Sequence, residues 1–318
     1  MKTIKRVNGF FLVLVILRIG ASVGLSMLDG EAVTLGTYTS LMLPQLLILV
    51  PSFLFFIISG YDITEWIPFR KLRGGTVALI ILFTFLIMPL ITFVNVFSQL
   101  FTENAAVNMF SEMSSASSAI LFLIVGLVGP FCEEFTFRGV IYGGLRKSGY
   151  PLAAAAVTGI YFGLMHLNLN QFCYVLVLGT IMCLVNEAAG SVWASIIAHV
   201  IVNTWNMLLM LLAERFYSAM GLDVFDQAGK MVSTDEKLSF MGILLVVSVV
   251  TILIAAGVFV AIGVHEGRLD KIKAIFRPDH EDGTERDRHI ITIPGYLAMA
   301  MCLFVIFLLG RVLAFFTK

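Results

Sequence analysis

Charged residues are scarce in this chain, and several familiar enzyme signatures are missing from it. Only 13% of its 318 residues are charged, and the formal net charge is zero. A chain without a basic excess does not attract polyanions, so we expect no nucleic-acid partner. The sequence also contains no H-E-x-x-H zinc motif, no P-loop, no dinucleotide-binding fingerprint and no internal repeat. These absences argue against zincin-type peptidases, P-loop nucleotide hydrolases and dinucleotide-dependent dehydrogenases.

Cysteine is also rare. The chain has four cysteines, all of them in apolar runs and none in a C-x-x-C pair. They are Cys132, Cys173, Cys183 and Cys302. Cysteines in such surroundings usually behave as small buried hydrophobic residues. We therefore predict neither a disulfide framework nor a cysteine-based metal site.

Hydrophobic residues are what the chain has in excess. They make up 59% of it, and the mean hydropathy is +0.96, which is typical of a polytopic membrane protein. Helices satisfy their own backbone hydrogen bonds in lipid. The sequence thus predicts an all-α integral membrane bundle with about nine transmembrane helices. The predicted segments are 9–28, 41–60, 76–98, 117–145, 151–168, 171–188, 191–213, 240–264 and 292–316.

The basic residues predict how these helices are oriented. They cluster near the N-terminus, around residues 70–73 and 138–147, and in the 265–290 connection. Cytoplasmic connections carry an excess of Lys and Arg, so we predict a multi-pass protein of the cell membrane with a cytoplasmic N-terminus. Asn186 and Glu187 fall near the same surface and are predicted to form a solvated helix end.

Two adjacent glutamates, Glu133 and Glu134, interrupt the predicted segment 117–145. An acidic residue at the bilayer centre costs roughly 2.5–3.5 kcal/mol on insertion scales, so a function is the default explanation for the pair. Glu134 and Arg138 are four residues apart and can form an ion pair on one helix face. Glu133 points about 100° away from that face and is left available for acid–base chemistry.

Polar residues also interrupt two later apolar segments. Phe162 and His166 are four residues apart, and so are His199 and Asn203. At 1.5 Å per residue, Glu133, His166, His199 and Asn203 lie between about 12 and 22 Å from the predicted cytoplasmic ends of their helices. The similar depths predict a common site inside the membrane. Arg18 also interrupts a segment, but the sequence identifies no partner for it.

Two kinds of chemistry suit these side chains. A carboxylate and an imidazole can activate a water, while a second imidazole and an amide can donate to a developing oxyanion. That combination suits hydrolysis of a peptide bond. Alternatively, Glu133, His166 and His199 could be the three ligands of a catalytic zinc with one open position. The spacing does not select between them, so the sequence assigns no cofactor.

The three polar stretches, taken in order, resemble the signature motifs of the CPBP family. This family comprises CAAX proteases and bacteriocin-processing enzymes and is also called the type II CAAX prenyl endopeptidase or Abi family. The matching motifs are Glu133-Glu134-x-x-x-Arg138, Phe162-x-x-x-His166 and His199-x-x-x-Asn203. The resemblance covers about residues 117–213 and implies a catalytic core there. The flanking regions 1–116 and 214–318 are then the N-terminal helices and a C-terminal part with two helices and a charged loop.

The resemblance also implies an activity and a role for each residue. It implies an intramembrane endopeptidase in which Glu133 and His166 activate the water, and His199 and Asn203 form the oxyanion site. Glu134 and Arg138 would hold this geometry. Members of the family are often classed as metalloproteases, so zinc is an open cofactor. The implied substrate is a peptide or protein at the membrane, either of the prenylated CAAX type or of the leader or bacteriocin type.

Two non-proteolytic functions stay open at this point. A bacteriocin self-immunity protein could keep the motifs for stability alone. A proton-coupled carrier could use the same Glu, His and Arg residues as a relay. Carriers often have two broken spans related by an inverted repeat. Gly129-Pro130 breaks one predicted span, but the sequence shows no counterpart in a second half.

Overall fold

The computed structural model describes residues 2–28, 36–102, 104, 117–222, 234–276 and 289–316. Within these ranges the chain consists of helices and connections and contains no strand, which confirms the all-α prediction. The helices are α1 (Lys2–Leu28), α2 (Thr37–Ser59), α3 (Ile63–Trp66), α4 (Gly74–Ser98), α5 (Ser118–Ser148), α6 (Pro151–Leu164), α7 (Leu169–Ala189), α8 (Trp193–Ala219), α9 (Thr234–His265), α10 (Leu269–Phe276) and α11 (Ile293–Phe316).

Each of the nine predicted segments is a helix, but they are not equally suited to cross a membrane. By length and composition, the described residues contain seven candidate spans: α1, α2, α4, α5, α7, α8 and α9. Helix α6 has 14 residues and is about 21 Å long, which is shorter than a hydrocarbon core of about 30 Å. Helix α11 has 24 residues, a length that can cross a hydrocarbon core. Crossings by these two helices, and the cytoplasmic N-terminus, stay predictions.

Helix α5 lies at the centre of the bundle and packs against α1, α2, α6, α7 and α8. Every residue from Phe135 to Tyr142 is buried. Close packing in a membrane relies on small residues, because lipid provides little hydrophobic drive for helices to associate. Gly139 faces Ile67, and Gly143 faces Trp66, at distances that leave no room for a side chain. Thr136 and Arg138, the polar residues at the middle of this stretch, are therefore surrounded by protein.

A second close contact brings α6 against α7. A Cβ added to Gly159 would lie 2.6 Å from the backbone carbonyl oxygen of Leu176. A Cβ added to Gly179 would lie 3.1 Å from both the Gly159 Cα and the Phe162 ring. These glycines set the separation of the two helices and thereby the position of Phe162.

We expect Gly159→Val to force α6 and α7 apart. The added side chain meets backbone, which has no alternative rotamer, so we expect the free energy of unfolding to fall by about 1–3 kcal/mol or more. Gly242→Val in α9 is the matched control, because a Cβ there meets nothing within 4 Å. Unfolding in detergent, measured for both variants, tests the expectation. Equal stabilities of the two variants would contradict it.

Ion pairs join the helix ends on one side of the bundle. Arg146 Nη1 lies 2.7 Å from Glu187 Oε1, and Arg268 Nε donates to the Glu187 carbonyl at 2.9 Å. Asn186 bonds to Ser195 through both its amide oxygen and its amide nitrogen. Asn186 and Glu187 are buried, so the prediction of a solvated helix end is wrong. Residues from other connections, Arg146 and Arg268, contact Glu187 and help to bury this helix end.

The same end of the bundle gathers three of the predicted cytoplasmic connections. Arg70 donates to the Ala189 carbonyl at 2.7 Å, and Arg146 and Arg268 both reach Glu187. Their convergence agrees with a common side for these connections, although the side itself stays a prediction. Three further basic residues of the 265–290 connection (Arg277, Arg286 and Arg288) lie outside the described residues, and so do the acidic residues of the predicted outer connection (Glu103 and Glu112).

Glu266, directly after α9, ties this end to α4. Its carboxylate accepts from Arg70 Nη2 at 2.8 Å, from the Arg73 backbone N–H at 3.3 Å and from the Thr76 hydroxyl at 2.5 Å. The side chain is only 2% exposed. Burial raises the pKa of Glu266, but the Thr76 and Arg73 hydrogen bonds and the Arg70 charge outweigh that effect. The pKa therefore lies below its ordinary value of 4.5.

This depressed pKa predicts a pH-dependent stability. The contribution of Glu266 is present above its ordinary pKa of 4.5 and is lost as the pH falls through the lower pKa of the folded state. We expect Glu266→Gln to lower the unfolding midpoint at pH 7, and the gap to wild type to narrow below pH 4.5. Asp270→Asn, at a side chain that is 97% exposed, is the control. A gap independent of pH would contradict the assignment.

Candidate active site

The two adjacent glutamates lie on an irregular part of α5. Segments Ile124–Val128 and Phe135–Tyr142 are π-helical, and the α-helical piece Gly129–Glu134 lies between them. Short π-helical stretches are rare and occur frequently at functional sites. Glu133 and Glu134 stand where the second π-helical segment begins. The local winding of α5 is thus unusual at the residues that the motifs single out.

Glu134 is the centre of a buried polar cluster. Its Oε1 lies 3.0 Å from Arg138 Nη1 and 2.7 Å from His199 Nδ1. The side chains of Glu134 and Arg138 are both fully buried. A carboxylate paired with Arg138 can only accept, so His199 Nδ1 carries a proton and donates it to this bond. The i,i+4 pair expected from the sequence is present, and it also orients a histidine from α8.

The Arg138 guanidinium is held on further sides by α6 and α7. Its Cζ lies 4.4 Å from the centre of the Phe162 ring, a distance that permits a cation–π interaction. Its Nη2 donates to the Gly179 carbonyl at 3.5 Å. A Cβ on Gly179 would come within 3.5 Å of that nitrogen. The close α6–α7 contact therefore makes the Arg138 position possible.

His199 lies between the two adjacent glutamates. While Nδ1 bonds to Glu134, Nε2 lies 3.7 Å from Glu133 Oε2. That separation is longer than a direct hydrogen bond. The Glu133 side chain is 20% exposed, unlike the enclosed Glu134. Glu133 thus lies next to the polar His199 ring and is also accessible to another molecule, as an acid–base group must be.

His166 follows the end of α6 and approaches the same region. Its Nδ1 lies 2.9 Å from the Phe162 carbonyl oxygen, which can only accept, so Nδ1 is the protonated nitrogen. The neutral ring then has its lone pair on Nε2. Leu167 follows with φ 56°, the one positive φ at a non-glycine residue in the described ranges. The positive φ at Leu167 turns the chain directly after the histidine, and Glu133 lies within electrostatic range of the ring.

Asn203 lies one helical turn beyond His199 and bonds to α5. Its Nδ2 donates to the Val125 backbone carbonyl at 3.0 Å. This is the interhelical hydrogen bond that an amide inside a membrane commonly forms. A primary amide has two N–H donors, so one donor is used here and one is available.

A three-ligand zinc site does not fit this arrangement. Among the residues that the structure describes, no three His, Cys, Asp or Glu side chains are placed to hold one metal ion. Glu133, His166 and His199 do not converge as such a set. Glu134 engages Nδ1 of His199, and Nε2 faces Glu133.

The sequence did not identify two polar residues near the site. Arg18 on α1 lies within electrostatic range of Glu133. Gln45 on α2 approaches Gly129, and its Oε1 is buried without a hydrogen-bond partner. Both are polar residues within apolar spans, and this was the available signal. Neither has a charged residue four positions away that would have indicated a site.

Comparison with known proteins matches the same part of the chain. Residues 115–205 match the family described as type II CAAX prenyl endopeptidase Rce1-like. A Bacillus subtilis (strain 168) protein named "Putative membrane peptidase YdiL" is 26% identical over 98 residues, which are 31% of this chain and 40% of that relative. The chain thus covers well under two thirds of the curated relative it matches. No solved structure matches the chain. The family match includes every site residue from Glu133 to Asn203.

Proposed function

Because the chain belongs to the CPBP family through its Rce1-like residues 115–205, we propose that it is an intramembrane endopeptidase. It hydrolyses a peptide bond with a water activated by protein side chains. The observation that carries this proposal is the position of His199 between Glu133 and Glu134. A pair of membrane carboxylates oriented around one imidazole suits acid–base catalysis better than helix packing.

In the proposed reaction, Glu133 and His166 activate the water. The water oxygen attacks the peptide carbonyl carbon, and its proton passes to Glu133. The His166 Nε2 lone pair, left free by the bond from Nδ1 to the Phe162 carbonyl, accepts a hydrogen bond from the same water. Collapse of the tetrahedral intermediate breaks the C–N bond, and the proton on Glu133 passes to the leaving amine. The remaining proton of the new carboxyl group passes to the released amine, so the products are a carboxylate and a protonated amine.

His199 and Asn203 are proposed to stabilise the oxyanion. When the oxyanion forms, the proposed His199 ring has a proton on each nitrogen. Its Nδ1–H donates to Glu134, and its Nε2–H donates to the negative oxygen. The unused N–H of Asn203 supplies a second donor. Donors that are fixed before the reaction need little reorganisation when charge develops. Glu134 and Arg138 provide that fixation through the buried contacts at 2.7 and 3.0 Å.

The substrate proposed is a peptide or protein associated with the lipid bilayer. Two types are compatible with the family: a C-terminal CAAX-type protein, lipidated or not, and a leader or bacteriocin-type peptide. The 20% exposure of the Glu133 side chain within a helical bundle suits a peptide that reaches the site from the membrane or its surface. The two types differ in where the cleavage falls along the substrate.

The test compares new peptide termini in cells that carry wild type, Glu133→Ala or the control Asp270→Ala, matched for membrane level. We expect termini that are present with wild type and control and absent with Glu133→Ala. Cleavage near a C-terminus indicates CAAX-type processing, and cleavage after a leader indicates peptide processing. Identical termini in all three strains, under several growth conditions, would reject the protease and favour the immunity or carrier functions.

A further inference from the structure

We propose that Pro130 is a positioning residue for Asn203. Pro130 withholds a backbone N–H and so leaves the Val125 carbonyl free to orient the Asn203 amide. The effect of Pro130 on stability follows from the hydrogen bond alone. The effect of Pro130 on catalysis rests on the proposed function.

The backbone hydrogen bonds around Val125 show why its carbonyl is available. In an α-helix the Val125 carbonyl would accept from the N–H of Gly129. Here that N–H instead bonds to the carbonyl of Ile124, five residues earlier. The π-helical partner of Val125 would be residue 130, and a proline has no N–H. Neither donor of the helix reaches Val125, and the Asn203 Nδ2 supplies the missing hydrogen bond at 3.0 Å.

A neighbouring glycine lets α8 come close enough to form this bond. A Cβ added to Gly126 would lie 2.8 Å from Thr204 Cγ2. Gly126 follows Val125, and Thr204 follows Asn203, so α5 and α8 come close together beside the hydrogen bond. Pro130 is buried in the next piece of α5, Gly129–Glu134. The sequence Val125-Gly126 together with Gly129-Pro130 therefore provides both the free acceptor and the space for its partner.

This bond determines how the Asn203 amide is turned. The Val125 carbonyl oxygen can only accept, so the Asn203 amide presents its nitrogen to α5 and its oxygen faces away. The second N–H projects from the same nitrogen, and His199 lies one turn earlier on the same face of α8. Without the Val125 acceptor, the amide could rotate and present its oxygen in place of its donor. An oxygen there would repel an oxyanion.

Pro130→Ala restores the missing donor. The new N–H can take the Val125 carbonyl directly, or it can bond Gly126 and allow the Gly129 N–H to return to Val125. In both arrangements the backbone satisfies the acceptor, and Asn203 loses its partner. The change therefore acts on Asn203 without touching it.

The test is a double-mutant cycle of Pro130→Ala and Asn203→Ala in the full-length protein in detergent, with cleavage of a fluorogenic peptide and thermal unfolding as readouts. Removing a single oxyanion donor lowers kcat by roughly 10²–10³-fold, so we expect about that loss for Asn203→Ala and roughly tenfold for Pro130→Ala. KM should stay within about twofold for both, because the interaction is made in the transition state. The double variant should have the kcat of Asn203→Ala alone.

Pro89→Ala is the matched control, because Pro89 also lies inside a helix, α4, and its replacement restores the same kind of N–H. We expect its effects to add to those of Asn203→Ala. Additive kcat losses in the Pro130 cycle would overturn the proposed coupling. If wild type cleaves no more than Glu133→Gln, the proposed function fails. The unfolding midpoints then test the structural part of the proposal, the hydrogen bond between Asn203 and Val125. Non-additive midpoints for Pro130→Ala and Asn203→Ala then support the shared hydrogen bond, and additive midpoints overturn it.

Discussion

Replacing Glu133 by glutamine is expected to lower kcat for peptide cleavage by roughly 10²–10⁴-fold, the usual contribution of a general base. Glutamine has nearly the same size but cannot take a proton from the water. The unfolding midpoint should hardly change. Glu133 is partly exposed, and its ion-pair contact is the 3.7 Å approach to His199, so no fully buried charge is left without a partner. Cleavage kinetics and thermal unfolding in detergent, measured on the same preparation, test the expected loss of kcat and the expected unchanged midpoint.

The comparison with Glu134→Gln makes this prediction specific. Both variants remove one carboxylate from adjacent positions, but Glu134 is fully buried between Arg138 and His199. We therefore expect Glu133→Gln to lose activity and keep its stability, and Glu134→Gln to lose both. If Glu133→Gln retained more than about a tenth of the wild-type kcat, its role as the base that activates water would be rejected.

The sequence predicted contacts within one helix and a shared depth for residues of different helices, but not which side chains of different helices touch. The i,i+4 spacing indicated the Glu134–Arg138 pair because both residues belong to α5. Nothing local indicated that Glu134 also meets His199 on α8. The separation of helices depends on which small residues face each other, as Gly159 does with the α7 backbone, and an apolar pattern does not reveal that.

The misread helix end has the same physical origin. Glu187 was predicted to be solvated because its sequence neighbours indicated a membrane surface. Its partners, Arg146 and Arg268, come from other connections. Positive-inside counting predicted that those connections share a side, but it did not predict that their charges meet. The π-helical winding of α5 was missed too, although Gly129-Pro130 was read as a break in the span. From the sequence, a proline shows that a backbone N–H donor is missing. Only the fold shows that the Asn203 amide on α8 replaces this donor at the Val125 carbonyl.

Breaking the buried pair between Glu134 and Arg138 should have the largest effect on stability. Glu134→Gln leaves the Arg138 guanidinium buried without a counter-charge, and losses of this kind reduce the free energy of unfolding by about 3–5 kcal/mol. The Phe162 ring at 4.4 Å and the Gly179 carbonyl at 3.5 Å offer only partial compensation. Denaturant titration in detergent or bicelles measures the loss. Stability equal to wild type would show that the ion pair does not support the fold.

Replacing both partners separates stability from function at this pair. A buried ion pair exchanged for apolar residues of similar volume is often neutral or stabilising. Glu134→Leu with Arg138→Met should therefore regain most of the stability lost by Glu134→Gln. Cleavage should not return, because the bond from His199 Nδ1 to Glu134 would still be missing and the ring could turn its Nε2 away from the substrate. A stable and active double variant would mean that packing alone orients His199, whereas a stable and inactive one would assign Glu134 to orienting this ring.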